Sequence, residues 1–262
     1  MSLSEAQRDE AAELLRVAEE TARPIPPLTE TFPGIDVVDA YEIQLHNIQR
    51  RLDAGARIHG HKVGLSSKAM QQMMGVDEPD YGHLLDDMVC HEDVPVHASR
   101  YLVPRVEVEV GFVLGDDLPG EGCTVDDVVR ATDYIVPAIE LIDSRIAEWK
   151  IRLPDTIADN ASSAGLVLGA ERRKPDELDI TAIDAVLYRN GEQVAAGRSD
   201  AVLGNPLTAV AWLAQKVASF GVRLEAGHVV LPGSCTRAYD VKAGDSVVAA
   251  FDGLGTVSVS FV

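Results

Sequence analysis

Apolar residues recur at helical spacing twice near the N-terminus and then alternate, in short runs, over most of the remaining chain. From Ser4 to Ala22, Leu14, Leu15 and Val17 supply a stripe in a stretch otherwise rich in Glu, Ala and Arg, which predicts an exposed helix. Pro24, Pro26, Pro27 and Pro33 then bar a helix and predict a linker or wrapping arm up to Gly34. A second helix should open at Asp36 as N-cap, with Val38, Tyr41, Leu45, Ile48 and Leu52 on one face and Gly55 ending it. From Ile58 onward β-like runs are divided by Gly, Pro and Asp. The best strands are Val106–Leu114, Ile135–Ile142, Gly165–Gly169, Ala182–Arg189, Val194–Gly197, Val229–Leu231, Ser246–Phe251 and Thr256–Val262. Asn190-Gly191 is a two-residue hairpin turn, because both positions tolerate positive φ. Two helices interrupt the strands. One is capped by Thr124 with Asp127 three residues on, and one runs from Asn205-Pro206 to Gly221 with Val210, Leu213 and Val217 on one side. Helices are too few to cover a parallel sheet strand for strand, so an α+β fold is expected, with a helical region over 1–57 and a β-rich domain over 58–262.

Composition sharpens this picture mainly through charge. At 262 residues, 46% apolar and 25% charged, the chain has material for one large core with an appendage. Forty-two acidic against 23 basic residues give a net charge of −19, a field that repels phosphate backbones and anionic lipid, so neither nucleic acid nor membrane is an expected partner. The first ten residues carry no basic and apolar leader pattern, which makes the cytoplasm the expected location. Cys90, Cys123 and Cys235 lack any CxxC pairing and read as reduced thiols.

The chemistry-bearing pattern is Val106-Glu107-Val108-Glu109-Val110-Gly111-Phe112, whose alternation puts both glutamates on one strand face. Such a pair is either a solvent-facing row or a site for a hard divalent cation, and Gly111 would leave room for a ligand. Glu140 sits between apolar neighbours in Ile139-Glu140-Leu141, where a charge needs a partner. Lys62, in Gly60-His61-Lys62-Val63-Gly64, is either a surface lysine or, if buried near a metal, an amine of lowered pKa that exchanges protons. Asp155 to Ser163 suits a plain turn, or a loop lining a pocket. His83, His91 and His97 lack metal-ligand spacing, although His83 follows Asp80 closely enough to line the same site. No phosphate cradle, dinucleotide fingerprint or GxSxG elbow is present, Gly253-Leu254-Gly255 joining two strands and Ser234 standing alone.

Taken in order, Gly60-His61-Lys62-Val63-Gly64-Leu65, Gly75-Val76-Asp77-Glu78-Pro79-Asp80-Tyr81-Gly82, Pro104-Arg105-Val106-Glu107-Val108-Glu109, Glu140 with Asp143-Ser144-Arg145, and Ala158-Asp159-Asn160-Ala161-Ser162 form a set. This set resembles the 2-hydroxypenta-2,4-dienoate (2-keto-4-pentenoate) hydratases of the fumarylacetoacetate hydrolase superfamily. Within that group the sequence is most similar to the actinobacterial steroid-pathway members acting on 2-hydroxyhexa-2,4-dienoate. The resemblance implies that Glu107, Glu109 and Glu140 bind Mg²⁺ or Mn²⁺, that Lys62 is a catalytic acid/base, and that Asp80 and Ser162 line the pocket. It further implies a mixed β-roll with outer helices and a homo-oligomer based on pentamers. Two departures bear on substrate identity: Asn205 stands where histidine is expected, and Leu231-Pro232-Gly233-Ser234 replaces Leu-Thr-Gly-Ala.

A small 2-hydroxydienoate is the substrate implied, hydrated after ketonisation of the dienol. Lys62 would shuttle protons, Asp80 would orient or deprotonate water, and Ser162 would hydrogen-bond substrate or water. The nearest rival is decarboxylation of a 2-oxo-3-enedioate of the 4-oxalocrotonate type, which needs the same electron sink. A non-catalytic partner in a pathway complex is the other alternative.

Overall fold

The computed structural model describes residues 2–262 except 69, 70, 73–75 and 77, so Gly75 and Asp77 of the second motif lie outside the described residues. Ser4 opens helix α1 (Glu5–Thr21) by accepting the Gln7 N–H, while the Gln7 side chain returns to Ser4 N–H. Ala11, Ala12, Leu15 and Ala18 form its buried face; Val17 is exposed, so the apolar stripe is rotated from the one expected. The small alanines win because they let the helix lie close to its neighbour. The proline-rich stretch is a wrapping arm: Ile25 bridges to Ile146, and the turn α2 (Leu28–Thr31) with Phe32 buries Leu28 in the core. Asp36 caps α3 (Val37–Asp53) as expected, and Tyr41, Ile43 and Ile48 turn inward while Val38 is exposed. Asn47 of α3 donates to Ala12 O of α1, tying the two helices together.

Among the described residues twelve strands follow. β1 (Ile58–Gly64), β2 (Asp80–Leu85), β3 (Val89–Cys90) and β4 (Arg105–Leu114) come first. Then come α4 (Val125–Ala131), β5 (Thr132–Ile142), α5 (Leu153–Ala158), β6 (Ser163–Leu168), β7 (Asp184–Arg189) and β8 (Glu192–Arg198). The chain ends with α6 (Pro206–Ala218), β9 (Val229–Leu231), β10 (Tyr239–Asp240), β11 (Ser246–Phe251) and β12 (Gly255–Ser260).

One mixed sheet runs β2-β1-β9-β4-β5-β6-β3, with β10 also on β4; β1 with β9 and β3 with β6 are parallel. The second sheet, β12-β11-β7-β8, is antiparallel, and Asn190-Gly191 closes its β7–β8 hairpin with both φ positive, at 54° and 82°. Val106, Val108, Val110 and Phe112 of β4 join the same core cluster as Val247, Ala249, Phe251, Val257 and Val259 of the second sheet. Each fully buried Val or Phe side chain among these stabilises by about 1.5–3 kcal/mol. The fold is thus α+β, as expected. β2, β3 and β10 were not among the strands expected. β2 reads Asp-Tyr-Gly-His-Leu-Leu, and its polar residues conceal a strand that is buried along its whole length.

Candidate functional site

Both faces of β4 are covered, and this overturns the solvent-facing reading of its glutamates: Glu109 is 0% exposed and Glu107 only partly so. The antiparallel register of β4 and β5 sets Glu107 directly opposite Glu140, itself 0% exposed, and Glu109 follows on the same face. One oxygen from each of the three carboxylates lies within 4.8 Å of the others.

β1 brings the fourth group. Lys62 is 2% exposed, its Nζ donating to Ala161 O at 2.9 Å and lying 3.5 Å from Glu140 Oε1. Lys62 pairs with Gly82 and Gly64 with Asp80, so period-two alternation puts Asp80 on the Lys62 face. A Cβ on Gly64 would stand 2.2 Å from Asp80 Oδ1, so only glycine admits that carboxylate. Thr156 donates to Asp80 Oδ2 at 2.7 Å, leaving Oδ1 unpartnered.

Asp155 to Ser163 is neither loop nor plain turn in its first half, where it lies mostly in α5; its second half lines the site. Asn160, Ala161 and Ser162 all adopt left-handed backbone, with φ of 53°, 50° and 56°. Each such residue costs about 1–3 kcal/mol unless its surroundings enforce it. Here they do: Asn160 exchanges two hydrogen bonds with the His83 backbone, and Ala161 O accepts from Lys62. Next to the turn, the buried Asp159 carboxylate binds the Arg145 guanidinium and its backbone N–H. The result presents the Ser162 hydroxyl, 2% exposed and unpartnered.

A residue that sequence reasoning missed is Gly233, whose N–H donates to Glu109 Oε2 at 2.7 Å. At φ +125°, with a would-be Cβ 1.8 Å from Ser66 Oγ, no other residue fits there. The adjacent Ser234 accepts the Val108 N–H at 3.0 Å, which fastens this loop to β4 and gives the hydroxyl a structural task. A Pro-Gly pair just past the apolar run Val229–Leu231 was the available signal. Asn205 caps α6 by accepting Leu207 N–H at 3.0 Å. His83 does not line the site, because it pairs with His61 on the opposite face of β1 and β2; His91 and His97 are exposed.

Burial pushes Glu140 up to about 7, only partly opposed by Lys62, and pushes Glu109 well above the carboxylate range with help from Glu140 and Glu107. Glu107 rises for the same first cause. For Lys62 the expected fall does not occur: burial acts downward, but Glu140, Asp80, Glu107 and Glu109 outweigh it and the pKa rises. Four carboxylates therefore face one ammonium. Glu109 Oε1 and both Glu140 oxygens are shut from solvent without a hydrogen-bond partner. An all-oxygen donor set with surplus negative charge and orphaned lone pairs fits a hard divalent cation such as Mg²⁺ or Mn²⁺.

Comparison with known proteins agrees with this geometry. The family model described as fumarylacetoacetate (FAA) hydrolase C-terminal matches residues 61–262. The 2-keto-4-pentenoate hydratase of Paraburkholderia xenovorans (strain LB400) is 46% identical, covering 97% of this chain and 95% of its own. The 2-hydroxyhexa-2,4-dienoate hydratase of Comamonas testosteroni is 41% identical, covering 92% of each. The 4-oxalocrotonate decarboxylase of Pseudomonas putida G7, solved with magnesium and adipate, superposes with a TM-score of 0.95 at 37% identity, covering 100% of this chain and 99% of its own.

Proposed function

The chain belongs to the fumarylacetoacetate hydrolase family, and from that premise we propose that it is a metal-dependent hydro-lyase. It adds water to a 2-hydroxyalka-2,4-dienoate of the 2-oxopent-4-enoate type, giving a 4-hydroxy-2-oxo acid in meta-cleavage catabolism of aromatics or steroids. The observation that carries this reading is the cluster of three converging glutamates with orphaned oxygens beside a buried lysine. Glu107, Glu109 and Glu140 would hold Mg²⁺ or Mn²⁺. When bound, the ion supplies a positive centre for the anionic 2-oxo acid and for charge developing at its C2 oxygen.

The protein's own groups then divide the proton work. Lys62, held protonated by its carboxylate neighbours, delivers a proton to C5 and takes up the one the dienol hydroxyl loses, leaving C3=C4 conjugated to the C2 carbonyl. Asp80, with Oδ1 free, orients water at C4 and takes its proton as the C–O bond forms. Lys62 returns its proton at C3 and regains one from Asp80, so that the sum is one water gained and the enzyme is unchanged. Ser162, unpartnered in its strained turn, hydrogen-bonds substrate or water. We assign residues 58–262 to the catalytic unit and 1–57 to the helical region packed over it. Among the described residues no helix is long and apolar enough to cross a membrane; the family resemblance supports a cytoplasmic enzyme and a homo-oligomer based on pentamers.

The test is product identification with Mg²⁺ on 2-hydroxypenta-2,4-dienoate, 2-hydroxyhexa-2,4-dienoate and 4-oxalocrotonate. Water gain by a monocarboxylic dienol is expected. CO₂ release from 4-oxalocrotonate without dienol hydration would replace this reading by the decarboxylase one, which the TM-score of 0.95 to that enzyme favours second. In folded Lys62→Ala and Glu107→Gln proteins, turnover should fall by about 10²–10⁴-fold; near-normal rates in both would remove the site.

A further inference from the structure

The residue preceding Lys62 points to the other side of β1, into different surroundings. A cavity of about 640 Å³ opens there, between α3, the end of α6 and the large sheet, and Lys62 and the three glutamates take no part in it. Three imidazoles from adjacent strands meet at its floor. His61 pairs directly with His83 across β1 and β2, and His228 immediately precedes β9, which lies on the other side of β1. Ring centroids are 4.8 Å apart for His61 and His83 and 5.5 Å for His61 and His228.

Two of these rings are ready to donate a lone pair. His61 is 1% exposed and neither of its ring nitrogens has a hydrogen-bond partner, an arrangement that costs free energy unless something occupies the site. At His83 the tautomer is fixed. Gln44 spends its amide N–H groups on Tyr81 O and Ile157 O, so its Oε1 must accept from His83 Nδ1 at 2.8 Å. His83 Nε2 is thereby left as a bare lone pair, and a ligating histidine ordinarily has this support, its other N–H given to an oxygen. Burial keeps both rings neutral, pushing His61 well below its usual range and His83 to about 4. His228 is less prepared, since its Nδ1 accepts Glu225 N–H at 3.1 Å and it must yield that bond to ligate through either nitrogen.

The spacing admits a tetrahedral ion. With Zn–N near 2.1 Å and a ring centre about 1.2 Å beyond the nitrogen, two imidazoles at a tetrahedral angle place their centres about 5.3 Å apart. The observed 4.8 and 5.5 Å bracket that value. Among the described residues only the three glutamates already present ligand atoms mutually within 4.8 Å, so the imidazoles must rotate to converge. We propose that His61 and His83, completed by His228, form a second cation site that takes a borderline divalent ion of the Zn²⁺ or Co²⁺ class, distinct from the hard-ion glutamate site. Nitrogen donors prefer such ions over Mg²⁺, and Glu5, Asp9, Glu42 and Glu225 around the cavity outnumber Arg8 and Arg223, which leaves a net acidic rim that favours a cation.

The inference stands apart from the proposed hydration, and its test does not read turnover. Full-length protein in saturating Mg²⁺ is titrated with Co²⁺ while visible absorption is recorded, tetrahedral nitrogen coordination giving a strong visible band. One such site is expected in the unaltered protein and in Glu107→Gln. It should disappear in His61→Asn and weaken at least tenfold in His228→Asn, whose partly exposed side chain makes it the variant that decides if His61→Asn does not fold. Absence of the band in the unaltered protein, its persistence at full affinity in His228→Asn, or its loss in Glu107→Gln would overturn the proposal.

Discussion

Lowering the pH should expel the ion from the glutamate site before it damages the fold. In the ion-free protein Glu140 titrates at about 7 because it is buried, with Lys62 only partly compensating, and Glu109 titrates well above the ordinary carboxylate range. A carboxyl must lose its proton to ligate, so ion binding competes with protons and releases them. With a pKa of about 7, Glu140 is about one-tenth ionised at pH 6 and about nine-tenths at pH 8, which alone weakens Mg²⁺ affinity about tenfold over that interval. A proton held on Glu109 steepens the dependence further. Stability carries the matching sign: a raised folded pKa stabilises below the unfolded value, and that contribution is lost as pH rises through about 7. The displacement from 4.5 to about 7 corresponds to on the order of 3 kcal/mol. Ion-free protein should therefore melt at lower temperature at pH 8 than at pH 5, and Mg²⁺ should recover the difference at pH 8. Isothermal titration at pH 6, 7 and 8, in two buffers of different ionisation enthalpy, measures affinity and proton release together. Equal affinity at pH 6 and pH 8 with buffer-independent heats would refute the reasoning.

Two further outcomes follow from single residues. Gly233→Ala places a Cβ where Ser66 Oγ already stands, 1.8 Å away, and forces the N–H off Glu109; Mg²⁺ affinity should drop at least tenfold by the same calorimetry, while unchanged affinity would dissociate the loop from the site. Asp159→Ala strips the buried Arg145 guanidinium of its partner, at a cost of about 3–5 kcal/mol, to be read from urea unfolding at pH 7; a loss under 1 kcal/mol (a small surface-pair effect) would show that the pair does not hold the strained turn.

How far the site could be read from sequence depended on whether its signal was local. The alternation of β4, the caps at Asp36 and Thr124, and the Asn190-Gly191 hairpin are decided by neighbours within four residues, and each forms as expected. Which face of a strand is covered is decided elsewhere. Glu109 is inaccessible, with the loop after β9 reaching it through the Gly233 N–H, and nothing in Glu-x-Glu foretells that. Likewise Val17 and Val38 look like core by hydropathy yet face outward, because the inward positions went to alanine and tyrosine that fit the helix contact. The Asp155–Ser163 segment reads as turn chemistry; its function arises from three successive left-handed residues, and that conformation is imposed by His83 and Lys62 from distant strands.

The motif Gly60-His61-Lys62-Val63-Gly64 shows how one short strand serves two chemistries at once. Period-two alternation sends His61 and Lys62 to opposite faces, and each bracketing glycine answers a demand of its own. At Gly60 a Cβ would fall 1.8 Å from Val229 O, so glycine is what lets β9 approach β1 in parallel and bring His228 towards His61. At Gly64 the obstacle would be Asp80 Oδ1, so glycine is what admits the free carboxylate beside Lys62. Replacing either glycine by alanine should thus damage different properties: the first the register of β1 against β9, the second the placement of Asp80 with the strand pairing intact. The two glycines bracket the strand symmetrically in sequence, yet they answer to separate halves of the molecule.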